Sequence, residues 1–431
     1  MNWRILGGAA SVEGMFALTI LAALLQAPPS GPPSVVVVLM DDIGRDKVGA
    51  YGDHADAPPT PHLDALAARG VLFRNAWAYP VCSPTRAALL TGRHSDRTGI
   101  GTIIGAGDGV ATPLPFSETI LPEALPDHTS VTLGKWHLRD VGNSDLHPVQ
   151  SGFDAAVGYV GAPTYFHWTT HVNGVRRNES GYFPSALARR GTEVLGRLDE
   201  PFFLYYCPIL AHSPWHVPPS YLHTQGTPSF EPFMHKAMVE AFDHHLGLLL
   251  AAIDLESTYV FVIGDNGSPN ITVLPPWPPS HGKRTPYEGG VRVPFIVAGP
   301  RAVRGAECDE LVHVTDVFAT VLDLVGRPAM TVGAEDSISF APLLIDPAAD
   351  GARDHLYFHQ FPFPGATSQV SELRAIRTRR WKLIERPDLA TLELYDLQAD
   401  PHELDNLLLS SPGPSTHALR DRLQALIPRF P

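Results

Sequence analysis

Val35-Val36-Val37-Val38-Leu39-Met40-Asp41-Asp42 is the stretch that decides the fold. Residues 35–39 are continuously apolar and mostly β-branched, the pattern of a strand buried on both faces of a parallel sheet. The run ends in two adjacent carboxylates, so Asp41 and Asp42 stand at a strand's carboxyl end, where open α/β sheets place their ligands. A second such run, residues 259–263, ends in Gly264-Asp265-Asn266-Gly267 and supplies another carboxylate and an amide oxygen. Taken singly, Asp-Asp after a strand is often a turn, and Asp-Asn-Gly is a common hairpin signal. Together they offer four hard oxygen donors, which suit calcium, with its six to eight oxygens at roughly 2.3–2.6 Å, and do not suit zinc.

Strand-like and helix-like segments alternate outward from these two ends to about residue 324. Residues 61–69 open as a helix behind Thr60, and 184–198 and 231–253 carry helical spacing. Residues 291–298 read as another buried strand and 314–325 as a helix. The alternation predicts an α/β fold, a mainly parallel sheet sandwiched by helices. After Gly326 the pattern changes to short strands at 373–378, 381–385 and 392–397, then an amphipathic helix at 416–427. The expected division is a catalytic α/β domain over 34–326 and a small antiparallel-sheet subdomain over 327–431.

Between the two strand ends lies Cys82-Ser83-Pro84-Thr85-Arg86, followed by an apolar run and Leu90-Thr91-Gly92-Arg93. An isolated cysteine is most often a small buried thiol or half of a disulfide. This pentapeptide, with its downstream Leu-Thr-Gly-Arg, resembles the signature of the type I sulfatases, members of the alkaline-phosphatase-like superfamily. Three further segments match that family's motifs: Gly134-Lys135-Trp136-His137, Ala211-His212-Ser213-Pro214, and Gly282-Lys283 followed by Tyr287-Glu288-Gly289-Gly290-Val291-Arg292-Val293-Pro294. The resemblance runs from Val35 to Leu407. It departs before Lys283, where the family usually carries Gly-Gly-Lys and this chain has His281-Gly282-Lys283 behind a proline-rich approach with Trp277. That approach reads either as a pocket rim with Trp277 as an apolar face or as a plain rigid loop.

The resemblance implies hydrolysis of a sulfate monoester by an arylsulfatase-like enzyme in which Cys82 is oxidised to Cα-formylglycine by a formylglycine-generating enzyme. A hydrated aldehyde carries two hydroxyls on one carbon, so one attacks sulfur and the other expels sulfate. It further implies one Ca2+ held by Asp41, Asp42, Asp265, Asn266 and an oxygen of the modified Cys82. Arg86 and Lys135 would stabilise the nucleophile and the developing charge. His212 and Lys283 would bind the ester and protonate the leaving oxygen, and His137 would take a proton from the second hydroxyl. Two alternatives stay open: a phosphate or phosphonate monoester hydrolase of the same superfamily, and a non-catalytic binder of sulfated ligands should Cys82 stay unmodified.

With 32 basic against 45 acidic residues the chain carries a net charge of −13, so nothing draws it as a whole to nucleic acid. An anionic ester therefore needs local positive charge, which Arg86, Lys135, Lys283 and a divalent cation would supply within a Debye length of about 8–10 Å. Only three cysteines occur, so beyond Cys82 at most one disulfide, between Cys207 and Cys308, is open. Residues 1–27 read as a signal peptide ending near Ala27, or as an uncleaved anchor. Either implies export: secreted, periplasmic or lumenal along the lysosomal and endoplasmic route. Asn178-Glu179-Ser180 and Asn270-Ile271-Thr272 are glycosylation sequons. Tyr165-Phe166-His167-Trp168 and Trp277 are the aromatic candidates for stacking on the ring of a sulfated small molecule or sulfated glycan. Which ester is cleaved, exo or endo action, and oligomeric state are not written in these motifs.

Overall fold

The register of one strand pair sets the geometry of everything that follows. In the computed structural model, which describes residues 31–105, 112–139, 144–159, 164–327, 333–363, 371–428 and 430, β1 (Ser34–Met40) runs parallel to β8 (Thr258–Gly264). Met40 stands opposite Gly264, and the Asp265 amide donates to the Met40 carbonyl at 2.9 Å. Two carboxylate-bearing strand ends therefore emerge side by side. The segment 1–27 lies outside the described residues, and among those described no helix is long and apolar enough to cross a membrane.

The remaining strands of the large sheet are β2 (Val71–Trp77), β3 (Thr129–Gly134), β4 (Ala155–Tyr159), β5 (His167–Val172), β6 (Val175–Ser180), β7 (Phe202–Cys207), β9 (Phe295–Ala298) and β10 (Ala306–His313). Their order is β10-β2-β9-β8-β1-β7-β3-β4-β5-β6. The pairs β10/β2, β8/β1, β1/β7, β7/β3 and β3/β4 are parallel, and the others antiparallel. Alternate residues of β1 feed two cores: Val35, Val37 and Leu39 pack with the helices Cys82–Thr91 and Asp316–Leu324. Val36, Val38 and Met40 pack with Phe183–Leu195 and Glu231–Leu250. Each fully buried aliphatic side chain contributes about 1.5–3 kcal/mol, which fixes β1 at the centre of a sheet covered on both faces.

The expected α/β architecture is present, with differences that have local causes. The strand expected over 291–298 begins only at Phe295, because Glu288–Val291 closes as a helical turn whose Gly290 carbonyl accepts from Gly267. β5 and β6 form a hairpin through Asn173 and Gly174, both at positive φ. Thr60 precedes its helix, Pro61–Ala67, without capping it: its hydroxyl accepts from the Gly49 amide at 2.9 Å. The first free N–H groups of that helix are met instead by Asp243 of Glu231–Leu250, at 3.0 Å from His62 and 2.8 Å from Leu63.

A second, antiparallel sheet follows, β11 (Leu356–Gln360), β12 (Leu373–Arg377), β13 (Trp381–Arg386) and β14 (Thr391–Asp396), with the helix Pro414–Gln424 against it. A buried ionic cluster joins this sheet to the turn Glu288–Val291. Lys382 of β13, wholly buried, lies 3.1 Å from Glu288 and 2.7 Å from Glu403, and Arg377 of β12 also pairs with Glu288. Burial alone would raise the Glu288 carboxyl, but Arg377, Lys382 and Arg292 bring it down to about 2. Removing one member of a buried ion network leaves its partners uncompensated, at a cost of about 3–5 kcal/mol. Lys382→Met should accordingly lower the unfolding free energy by that amount in denaturant titrations, while Lys382→Met with Glu403→Gln recovers part of it. A loss under about 1 kcal/mol would remove the cluster as the joint between the two sheets.

Candidate active site

The carboxyl ends of β1, β3, β7 and β8 converge on one wholly buried cluster. Ligand-competent atoms of Asp41, Asp42, Cys82 and Asp265 all lie within 4.8 Å of one another. Asn266 donates its amide to Asp42 at 2.8 Å and turns its oxygen toward Cys82, 3.4 Å from the sulfur. Three buried carboxylates and an amide oxygen converging on one point are the donor set of a hard divalent cation, so the residues fit such an ion.

Cys82 opens the helix Cys82–Thr91, whose amino-terminal dipole points into the cluster. Its sulfur is 3.4 Å from Lys135 Nζ, 3.5 Å from Lys283 Nζ and 3.7 Å from Asp41 Oδ1. Burial, helped by Asp265, pushes the Cys82 thiol up to about 12 against the pull of Lys135 and Lys283. A thiol so held is a poor nucleophile in its unmodified form.

Three cations answer the three carboxylates. Lys135 donates to both Asp41 oxygens at 2.8 and 2.9 Å, Arg86 to Asp265 at 2.9 Å, and Lys283 to Asp42. Burial would raise Asp41, but Lys135, with His212, Arg86 and Lys283, holds it well below the usual carboxylate range. Asp265 moves the other way, raised by burial and by Asp41 although Arg86 opposes. The second guanidinium nitrogen of Arg86 donates to the Lys135 carbonyl at 2.8 Å, so two motifs far apart in sequence are locked together.

The two histidines are placed differently. His137 is partly buried with its Nδ1 shut off from solvent, and desolvation followed by Lys135 and Arg86 holds its imidazole well below the ordinary range, hence neutral. Its Nε2 lies 3.1 Å from the Ile104 carbonyl, which accepts only, so the proton is on Nε2 and Nδ1 is left as a buried acceptor without a partner. His212 is partly exposed, its Nδ1 bonds the Ser213 carbonyl at 2.7 Å and its Nε2 lies 4.0 Å from Asp42. All six expected catalytic residues and all five expected ligands are thus in or beside one cluster.

Further residues brace the cluster without having been singled out in the sequence. His235 Nε2 donates to the Asp42 carbonyl at 3.0 Å from the helix Glu231–Leu250. Ser83 accepts from Ile104 and donates to the His137 carbonyl, and Thr85 donates to the Asp265 carbonyl at 2.7 Å. Ser83 and Thr85 belong to the pentapeptide, which could have flagged them; His235 is one of twenty histidines, unmarked by any motif. Ser268, bonded to Asp46 at 2.7 Å, accepts the Lys283 amide at 2.8 Å and so seats the lysine loop. Trp277 is buried against His402 and offers no open apolar face, while His281 stacks on Tyr287 with ring centres 3.7 Å apart, so the proline-rich segment is a packed loop. Cys207 and Cys308 are separate buried thiols.

Comparison with known proteins agrees with this geometry. Residues 33–327 match the sulfatase family model, and 280–428 match the model of the N-sulphoglucosamine sulphohydrolase C-terminal region. The chain is 31% identical to N-acetylgalactosamine-6-sulfatase of Rattus norvegicus over 76% of its own length and 69% of that protein's. It is 28% identical to arylsulfatase A of Homo sapiens over 90% and 86%. In fold it is similar to Ps i-CgsB crystallised with k-i-k-neocarrahexaose, at TM-score 0.78 and 23% identity over 91% of each chain. It is also similar to BT4656 in complex with its substrate D-glucosamine-2-N,6-O-disulfate, at TM-score 0.74 and 20% identity over 92% and 97%. With a family model spanning the whole α/β sheet and a strand-end cluster of the kind its motifs imply, the chain belongs to the sulfatase family and is an enzyme of sulfate ester hydrolysis.

Proposed function

We propose that the chain hydrolyses a sulfate monoester of a sugar or small ring compound, using a formylglycine made from Cys82 and one bound Ca2+. One observation carries the reading: the side chain of residue 82 projects from a helix amino terminus into the ligand cluster itself, within 3.5 Å of two lysines. The relatives' names support the substrate class, since one acts on N-acetylgalactosamine 6-sulfate and a structural neighbour on a glucosamine disulfate. Maturation would require a formylglycine-generating enzyme, and the route would be an exported one, secreted, periplasmic or lumenal. Residues 34–326 would carry the reaction and 327–431 brace it.

Asp41, Asp42, Asp265, Asn266 and residue 82 would hold the calcium, which when bound supplies Lewis acidity and a template for the sulfate oxygens. The hydrated aldehyde supplies two hydroxyls on one carbon, one for attack and one for release. Lys135 and Arg86 are fixed donors for the charge that develops, and one such donor is typically worth about 3–4 kcal/mol. Lys283 and His212 bind the ester and pass a proton to the departing alcohol, and the unpartnered Nδ1 of His137 takes the proton whose loss frees sulfate.

Co-expression with a formylglycine-generating enzyme should give an aldehyde at position 82 by peptide mass, and Cys82→Ala should abolish turnover of an aryl sulfate; full activity in that variant would overturn the mechanism. Strong chelation should remove activity, and calcium should restore it better than zinc. Asp41→Asn and Asp265→Asn should each be inactive, and activity surviving in both would free these residues of the ligand role. His137→Ala should release phenol in a rapid burst of about one per active site and then stall, because only the second proton transfer is lost. Lys283→Ala should lose the burst, and lose more on sugar alcohols than on nitrophenol, a leaving group that needs little protonation. Steady slow turnover without a burst in His137→Ala, with equal losses across leaving groups in Lys283→Ala, would reverse the role assignment.

A further inference from the structure

The aromatic run at 165–168 separates into two kinds of residue once folded. Tyr165 and Trp168 are 4% and 6% exposed and belong to the core, whereas Phe166 is 43% exposed. Tyr165 donates its hydroxyl to the backbone carbonyl of His212 and lies 3.1 Å from that of Ile209, so this run is fastened to the loop that carries the partly exposed catalytic-site histidine. The same loop continues to His216, whose ring packs at a tilt of 38° on Tyr165 with centres 4.0 Å apart and bonds the Tyr182 hydroxyl at 3.0 Å. Phe166 packs on the outside of this group, 5.4 Å from the Tyr182 ring and 5.7 Å from His216. Its ring is therefore held in place from behind by two fixed aromatic neighbours while nearly half of it faces solvent.

We infer that Phe166, backed by His216 and Tyr182, is the platform on which the ring of the ester's alcohol portion stacks, and that it makes the enzyme selective for sulfates carried on or beside a six-membered ring. The inference rests on the sulfate monoester reading above. Two observations point to that occupant. The group anchors the same short loop as His212, whose Nε2 stands 4.0 Å from Asp42, so it sits beside the histidine proposed above to serve the departing alcohol. The platform is also already ordered: Tyr165, Tyr182 and His216 are paired with one another and with backbone carbonyls, so a ring loses little freedom of the protein on binding. Both an aryl ring and the C–H face of a pyranose gain from such a surface, and the two are separated by the test.

The test uses the mature full-length enzyme, Phe166→Ala and Phe166→Trp, with three substrates: nitrophenyl sulfate, a methyl pyranoside sulfate and an acyclic alkyl sulfate. In Phe166→Ala the ratio of kcat/KM for the ring esters to that for the acyclic ester should fall about three- to tenfold, the worth of one aromatic contact, mainly through KM. Phe166→Trp should restore it. A fall confined to nitrophenyl sulfate identifies an aryl platform, and one confined to the pyranoside a sugar platform; either supports the inference. An unchanged ratio, or a loss that Phe166→Trp does not reverse, overturns it. A wild-type enzyme inactive on all three esters would instead count against the proposed reaction.

Discussion

Charge balance inside a buried pocket is the constraint on which the structure turns. Asp41, Asp42 and Asp265 are buried together at the ends of two parallel strands, and each is answered by one cation, Lys135, Lys283 and Arg86. Two like charges about 4 Å apart repel by roughly 4 kcal/mol at an effective dielectric of 20, so the carboxylates alone would not tolerate this packing. Since the three pairs cancel formally, a divalent cation added to the same donors would leave the pocket positive by about two charges. That excess is local. It lets a chain of net charge −13 receive an anionic ester, because beyond a Debye length of about 8 Å the acidic surface is screened.

The backbone bends to serve that balance. Asp42 and His137 both lie in the left-handed region, at φ 61 and 57, where a residue with a side chain costs about 1–3 kcal/mol. Neighbouring bonds hold them there: Ala211 donates to the Asp41 carbonyl at 2.7 Å, His235 to that of Asp42, and Lys135 to that of Cys207 at 2.8 Å. Gly134, at φ 102, lets the chain turn out of β3, since a Cβ there would sit 2.1 Å from the Cys207 carbonyl oxygen. Lys135 can cross to Asp41 only because this position has no side chain. The geometry of the reaction centre is thus stored partly in the sheet, whose packing energy outweighs the local strain.

The legibility of the chain followed the same physics. Continuous apolar runs marked β1 and β8 to within a residue or two, because strands buried on both faces leave no room for polar interruptions. Strands with a polar face went unread: β10 alternates exposed Glu307 and Asp309 with buried Cys308 and Glu310, and β6 is almost wholly exposed. The Asn173-Gly174 turn between β5 and β6 carried a local signal, the left-handed dipeptide of tight hairpins, that the flanking polar residues obscured. Nothing local announced that Asp243 would close the amino terminus of Pro61–Ala67, or that His235 would brace Asp42. Those are tertiary contacts between residues about 180 or more apart in sequence, and no window of the chain contains both partners. The site residues were legible because their spacing is written in motifs. The ion pairs that hold them are not.

The hydrogen bonds of His137 and His212 also bear on how one pocket could manage two proton transfers. A carbonyl oxygen only accepts, so Ile104 fixes the His137 proton on Nε2 and Ser213 fixes a His212 proton on Nδ1. Each ring then presents the opposite nitrogen, Nδ1 in one and Nε2 in the other. His137 keeps its Nδ1 away from solvent and is held neutral by desolvation and two nearby cations, which suits a base that takes an internal proton. His212 stands partly exposed, where it can exchange protons with bulk water. The same contacts that orient the rings therefore favour different tasks for them.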